Sequence, residues 1–115
     1  MATGIDVVDI KRIEDASKSE RFLKRIFTEE ELNYSFNRKF PYRHLAGRFA
    51  AKEACVKALT TVSGFSWKDI EVIHGGSGSP ALKLSSGAKR LLGERKIFLS
   101  IAYSRAQALA FVAIE

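Results

Sequence analysis

The chain has 115 residues, one domain's worth. With 46% of them hydrophobic, eight Phe and only two Pro, a folded core is expected and disorder is excluded. Nineteen Lys and Arg against 13 Asp and Glu leave a net charge of +6, which favours anionic partners: nucleic acid, acidic protein surfaces or phosphorylated small molecules. The single Cys55 excludes an internal disulfide and a cysteine-clustered metal site, and no apolar stretch reaches the ~18–20 residues of a membrane helix. Asp6 and Asp9 interrupt what a secretion signal would keep apolar, so a reducing cytoplasm is the expected location. A deep ligand cleft is costly to carve from so small a core, which leaves room for oligomerisation with sites between subunits.

Residues 3–10 (TGIDVVDI) read as a β-strand rich in Val and Ile. Residues 11–27 read as one or two short amphipathic helices, with Ile13, Phe22, Leu23, Ile26 and Phe27 apolar among Lys11, Arg12, Arg21, Lys24 and Arg25. Thr28 followed by Glu31 is a capping box that starts another helix. Residues 37–42, broken by Pro41, read as a basic connection, and residues 44–61 as the longest helix, with Gly64 in the loop beyond. The period then changes. A strand at 69–73, a glycine-serine turn at 75–80 and a returning strand at 81–84 precede a helix capped by Ser85 and stopped at Gly93. Strands at 97–102 and 106–114 follow, joined by Tyr103-Ser104-Arg105. Helices early and antiparallel strands late predict an α+β fold, an antiparallel sheet packed on one long helix. No repeat or linker divides the chain, so residues 1–115 form a single domain.

Two features of this pattern carry chemistry. On the long helix Leu45, Phe49, Val56 and Leu59 form one apolar face and Ala46, Ala50, Ala54 and Ala58 a second, which predicts burial along much of its length. Glu53 and Lys57 fall on the border between the faces, at a spacing that suits an ordinary ion pair worth a few tenths of a kcal/mol. Asp6 sits between Ile5 and Val7, where a buried unpaired carboxylate would cost several kcal/mol. Either its strand is an edge and Asp6 faces water, or Asp6 meets Glu53 and the two share a hard cation. Two carboxylates completed by substrate phosphate oxygens and water is the usual Mg²⁺ environment. Lys57 would then neutralise the same phosphates. The run Gly75-Gly76-Ser77-Gly78-Ser79-Pro80 is too short and wrongly spaced for a dinucleotide or Walker A loop and reads as a hairpin turn. His44 and His74 lack a partner at metal-ligand spacing and read as structural or surface residues.

Gly4-Ile5-Asp6, Phe27-Thr28-x-x-Glu31, the run from Leu45 through Ala54 (LAGRFAAKEA), Lys57-Ala58-Leu59, Trp67-x-Asp69-Ile70-Glu71-Val72 and Gly78-Ser79-Pro80 follow one another along nearly the whole chain. In this the sequence resembles the holo-[acyl-carrier-protein] synthase family of small phosphopantetheinyl transferases. The resemblance implies the 4′-phosphopantetheinyl transferase fold, a homotrimer with active sites between protomers, Mg²⁺, and coenzyme A as donor. It implies transfer of the phosphopantetheine arm to a serine of apo acyl carrier protein, releasing adenosine 3′,5′-bisphosphate. By the same resemblance Asp6 and Glu53 are metal ligands and Lys57 contacts phosphate. Arg48, Gly78 and Pro80 lie at the coenzyme, and Glu53 takes the serine proton. The basic residues Lys11, Arg12, Arg21, Lys24 and Arg25 would form the docking face for the acidic carrier. One position departs: where the family usually carries Ser-x-Ser/Thr-His, this chain has Ser100-Ile101-Ala102-Tyr103, so Tyr103 offers the coenzyme phosphate a neutral hydrogen bond and no positive charge. The alternative is a basic module, weakened in turnover by Tyr103, that binds an acidic protein or RNA. The aromatic residues are not interleaved with the basic cluster as a single-strand platform needs, so nucleic acid is not the expected partner.

Overall fold

The computed structural model describes residues 1–61 and 63–115. Strand β1 (Ala2–Asp9) leads into four helices, α1 (Ile10–Ala16), α2 (Glu20–Ile26), α3 (Glu29–Phe36) and α4 (Pro41–Leu59). A 3₁₀ turn at Trp67–Asp69 precedes the hairpin of β2 (Ile70–His74) and β3 (Pro80–Leu84), followed by α5 (Ser86–Leu92), β4 (Ile97–Tyr103) and β5 (Gln107–Ile114). All strand pairing is antiparallel, as expected, but the strands divide into two sheets: β1-β5-β4, and the separate hairpin β2-β3.

The three-stranded sheet has one wet and one dry face, set by the two-residue period of its strands. Gly4, Val8, Ala108, Ala110, Val112 and Ile114 are buried against α4, while Ile5, Val7, Phe98, Leu109 and Phe111 point outward and are exposed. Gly4 is required where β1 crosses the helix: a Cβ there would collide with the carbonyl oxygen of Ala54 and the amide of Ala58. The smooth alanine face of α4 exists for the same close approach, and Ala46, Ala50, Ala54 and Ala58 are all buried.

Helix α4 starts earlier than its sequence pattern suggests. Pro41 does not break a connection but occupies the first turn of the helix, where its missing N–H costs nothing and its fixed φ is already helical. The capping box of α3 forms as expected, Thr28 Oγ1 accepting from the Glu31 amide and Glu31 from the Thr28 amide. Ser85 precedes α5, yet its hydroxyl makes no bond to that helix.

The sequence reading missed the polar knot at the centre. Lys52 on α4 is fully buried and ion-pairs with Glu31 at 2.8 Å, and its ammonium also donates to the carbonyls of Trp67 and Ile70. Glu31 in turn accepts from the Thr28 amide and from the Val72 amide at 2.9 Å. One cation and one carboxylate thus tie α3, α4 and β2 together with most of their hydrogen-bonding capacity filled, the condition under which a buried ion pair is tolerated.

Candidate active site

Asp6 is on the dry face of β1, with its side chain 17% exposed, although β1 is an edge strand. It faces α4, and Lys57 reaches across to it: the ammonium lies 3.1 Å from Asp6 Oδ1 and donates to the Ile5 carbonyl at 2.9 Å. The pair that Glu53 and Lys57 could have formed along the helix is not among the ion pairs of the described residues, because Lys57 is drawn to the strand instead. Burial is the main cause that raises the Glu53 carboxyl above its usual range, and the negative charge of Asp6 raises it further. Lys57 and Arg12 pull in the other direction without cancelling the shift. Asp6, Glu53, Lys57 and Arg12 therefore form one electrostatic group at the β1–α4 crossing.

This group fits a divalent cation. Two half-buried carboxylates that repel each other are relieved by a shared positive charge, and their all-oxygen donor set is the kind Mg²⁺ prefers. Among the described residues no three His, Cys, Asp or Glu side chains gather into a metal-binding group.

A second group lies elsewhere on the helix. Arg48 and Glu53 are five residues apart, roughly 140° around α4, so they leave it in different directions. Arg48, Pro80 and Tyr103 line a cavity of about 190 Å³ together with Tyr34, His44 and His74. Arg48 is 2% exposed, its Cζ sits 4.2 Å from the Tyr34 ring centre, and its Nε has no hydrogen-bond partner among the described residues. Burial pushes the Tyr103 phenol above its ordinary value, so its hydroxyl stays protonated and able to donate. That hydroxyl makes no hydrogen bond to the chain among the described residues. It sits where a Cβ on Gly47 would be, and the Arg43 guanidinium covers the ring at 4.6 Å. Gly78, in the turn at φ +84°, is outside the cavity wall but reaches it through His74.

The sequence pattern predicts Asp6 and Glu53 sharing a cation, with Lys57, Arg48, Gly78, Pro80 and Tyr103 at the coenzyme. In the structure Lys57 lies with Asp6 and Glu53, while Arg48, Pro80 and Tyr103 line a separate cavity that neither Lys57 nor Gly78 lines. His44 and His74, expected to be structural or surface residues, line that cavity together with Tyr34; no local spacing signals this, because α3, α4 and β2 bring the three together only in space. The basic residues Lys11, Arg12, Arg21, Lys24 and Arg25 are all exposed. Lys11 and Lys24 are already paired with Asp15 and Glu20, each at 2.9 Å, and Arg12 belongs electrostatically to the carboxylate cluster. Buried Cys55 has its thiol pushed up to about 12 by desolvation and is chemically inert.

Known proteins resemble the chain over nearly its full length. The holo-[acyl-carrier-protein] synthase of Protochlamydia amoebophila is 43% identical over 115 residues, covering 96% of this chain and 94% of its own. That of Thermodesulfovibrio yellowstonii is 42% identical, covering 96% and 95%. The crystal structure of the Neisseria meningitidis holo-[acyl-carrier-protein] synthase superposes with a TM-score of 0.89 at 34% identity, covering 99% of this chain and 97% of that one. The Bacillus anthracis enzyme, solved in complex with CoA (3′,5′-ADP), superposes with a TM-score of 0.83 at 38% identity, covering 98% and 94%. The model of the 4′-phosphopantetheinyl transferase superfamily matches residues 2–112. With the family model, the sequence identity and the fold in agreement over nearly the whole length, the chain belongs to the 4′-phosphopantetheinyl transferase superfamily.

Proposed function

We infer that this protein transfers the 4′-phosphopantetheine arm of coenzyme A to a serine hydroxyl of apo acyl carrier protein and releases adenosine 3′,5′-bisphosphate. The observation that carries the reading is the meeting of Asp6 and Glu53 on two otherwise apolar elements, in a chain 43% identical to a holo-[acyl-carrier-protein] synthase over nearly its full length. Phosphoryl transfer asks a protein mainly to position groups and to offset charge. Asp6 and Glu53 would hold Mg²⁺, which when bound polarises the pyrophosphate of the donor. Glu53, with its carboxyl raised above the usual range by burial and by Asp6, would accept the serine proton. Lys57, already beside Asp6, places a positive charge where the leaving phosphate gains negative charge. Arg48, Tyr103 and the Gly78–Pro80 turn would take the other end of the donor: a guanidinium and a phenol lining one cavity, the phenol without a hydrogen bond to the described residues, are donors suited to phosphate oxygens.

A homotrimer with sites between protomers accounts for the two separated groups. Residues that leave α4 roughly 140° apart serve one extended donor most simply when the carboxylate cluster of one copy faces the Arg48 cavity of the next. The exposed apolar face of Ile5, Val7, Phe98, Leu109 and Phe111 supplies a surface for such assembly. Exposed Arg21 and Arg25 on α2 suit an acidic carrier protein, and among the described residues no helix is long and apolar enough to cross a membrane, which accords with work on dissolved substrates in the cytoplasm. The deciding experiment incubates the protein with coenzyme A, Mg²⁺ and apo carrier protein and weighs the carrier by mass spectrometry. A phosphopantetheine increment that disappears with EDTA supports the reading, and an unmodified carrier sinks it.

A further inference from the structure

His74 is the last residue of β2, paired in register with Pro80 across the glycine-serine turn, and it is exposed to solvent. Both ring nitrogens and one face nevertheless have partners. Nδ1 lies 3.1 Å from the Gly78 carbonyl oxygen, Nε2 lies 3.1 Å from Arg48 Nη2, and one face stacks on Tyr34 with ring centres 4.5 Å apart. Chemistry fixes the tautomer. A guanidinium can only donate, so Nε2 accepts; a carbonyl can only accept, so Nδ1 carries the hydrogen. The Arg48 side chain is otherwise held by a long bond from Nη1 to the His44 carbonyl at 3.4 Å and by the Tyr34 ring. Without His74, Nη2 loses its acceptor and the guanidinium is left with the long bond to the His44 carbonyl and the Tyr34 contact to set its orientation.

We propose that His74 is a positioning residue for the donor: as a neutral Nδ1–H imidazole it orients the Arg48 guanidinium and fastens the turn carrying Gly78 and Pro80 to the same wall of the cavity. This rests on the reading that coenzyme A binds at Arg48. The ring touches no reacting atom, so its effect belongs in donor affinity and not in the chemical step.

The test measures binding of coenzyme A and of adenosine 3′,5′-bisphosphate by calorimetry, and steady-state kinetics with apo carrier protein, for the wild type and three variants. His74→Ala removes both bonds, His74→Gln restores an acceptor near the position of Nε2, and His74→Asn restores only a donor near Nδ1. We expect His74→Ala to raise the Kd for both ligands and the KM for coenzyme A about tenfold, with kcat and the carrier KM unchanged within about twofold. His74→Gln should recover most of that loss and His74→Asn little of it. All three should keep the wild-type thermal midpoint within a few degrees, because the residue is exposed. Wild-type affinity in His74→Ala, a loss confined to kcat, or a lowered midpoint with unchanged affinity overturns the proposal. So does rescue by Asn and not by Gln. A wild type that binds neither ligand overturns the functional reading itself and this proposal with it.

Discussion

Asp6 and Glu53 hold two negative charges in a half-dry crossing that Lys57 neutralises only in part, and this has a consequence for stability. A carboxyl raised in the folded state binds protons that the unfolded chain has already released. In the window from the ordinary Glu value of 4.5 up through the raised one, the metal-free protein therefore loses stability as pH rises. Glu53→Gln should abolish that slope and leave the protein at least as stable as wild type at neutral pH, while Asp6→Asn or Glu53→Gln reduces transfer by at least about 10²-fold. Urea titrations between pH 4.5 and 7.5 check the first point and the carrier mass assay the second; full activity in either variant would remove that carboxylate from the site. Tyr103 differs in kind, because in the proposed reading its phenol would supply one neutral hydrogen bond worth roughly 1 kcal/mol. Tyr103→Phe is expected to raise the KM for coenzyme A several-fold with kcat preserved. Gly47→Ala should do at least as much harm, since its methyl would occupy the place of the phenol hydroxyl, and a smaller ring in Gly47→Ala/Tyr103→His should regain the lost affinity.

Between elements, the Lys52–Glu31 pair fixes where α4 lies against α3 and β2, and so where Arg48 and Glu53 point. Burial pulls the Lys52 ammonium below its usual range while Glu31 opposes that shift, as expected of a buried cation that depends on its partner. Lys52→Met leaves the Glu31 carboxylate buried without its counter-charge and should cost about 3–5 kcal/mol, read from the urea midpoint. A change below 1 kcal/mol would show the knot to be dispensable. The basic surface of α1 and α2 is worth less per residue, because exposed charges are well screened. Its expected effect is on association with the carrier. Arg21→Glu/Arg25→Glu should raise the carrier KM at low salt, with the difference shrinking as salt is added, and leave the coenzyme A KM unchanged. Arg12 is excluded from this pair because reversing it also adds negative charge near Glu53. Unaltered carrier kinetics at low ionic strength would move the docking face elsewhere.

At the scale of the whole molecule, one chain of 12.8 kDa shows solvent a row of apolar side chains on the sheet face opposite α4. Ile5 is paired with Phe111, and Val7 with Leu109, so the row is continuous across two strands. Multi-angle light scattering at micromolar concentration should give a mass near three chains. Phe111→Arg should give single chains that keep wild-type circular dichroism but lose coenzyme A turnover, because each site would lack the half that a neighbour provides. A wild-type protein that is monomeric and active overturns the split site.

The sequence alone determined the alternation of β1 and β5, the capping box at Thr28, the doubly apolar α4 and the two acidic anomalies, Asp6 and Glu53. All of these are local: a period of two or 3.6 residues, a cap three residues long, a charge in an apolar run. It also carried the family resemblance, which sits in contiguous motifs. What only the tertiary structure decided depends on direction and on long-range meeting. Lys57 turns to Asp6, 51 residues away, in preference to Glu53 four residues away, because the Ile5 carbonyl and the Asp6 carboxylate together outbid a partner on the same helix. Lys52 carries no local mark of its role, which exists only once Glu31 and the carbonyls of Trp67 and Ile70 are folded around it. His74 has no partner within its own segment except the turn it closes; Arg48, 26 residues earlier, and Tyr34, on a third element, reach it only through the packing of α3, α4 and β2. A local pattern records which side chains leave an element on the same side, and the packing of elements sets which of them meet.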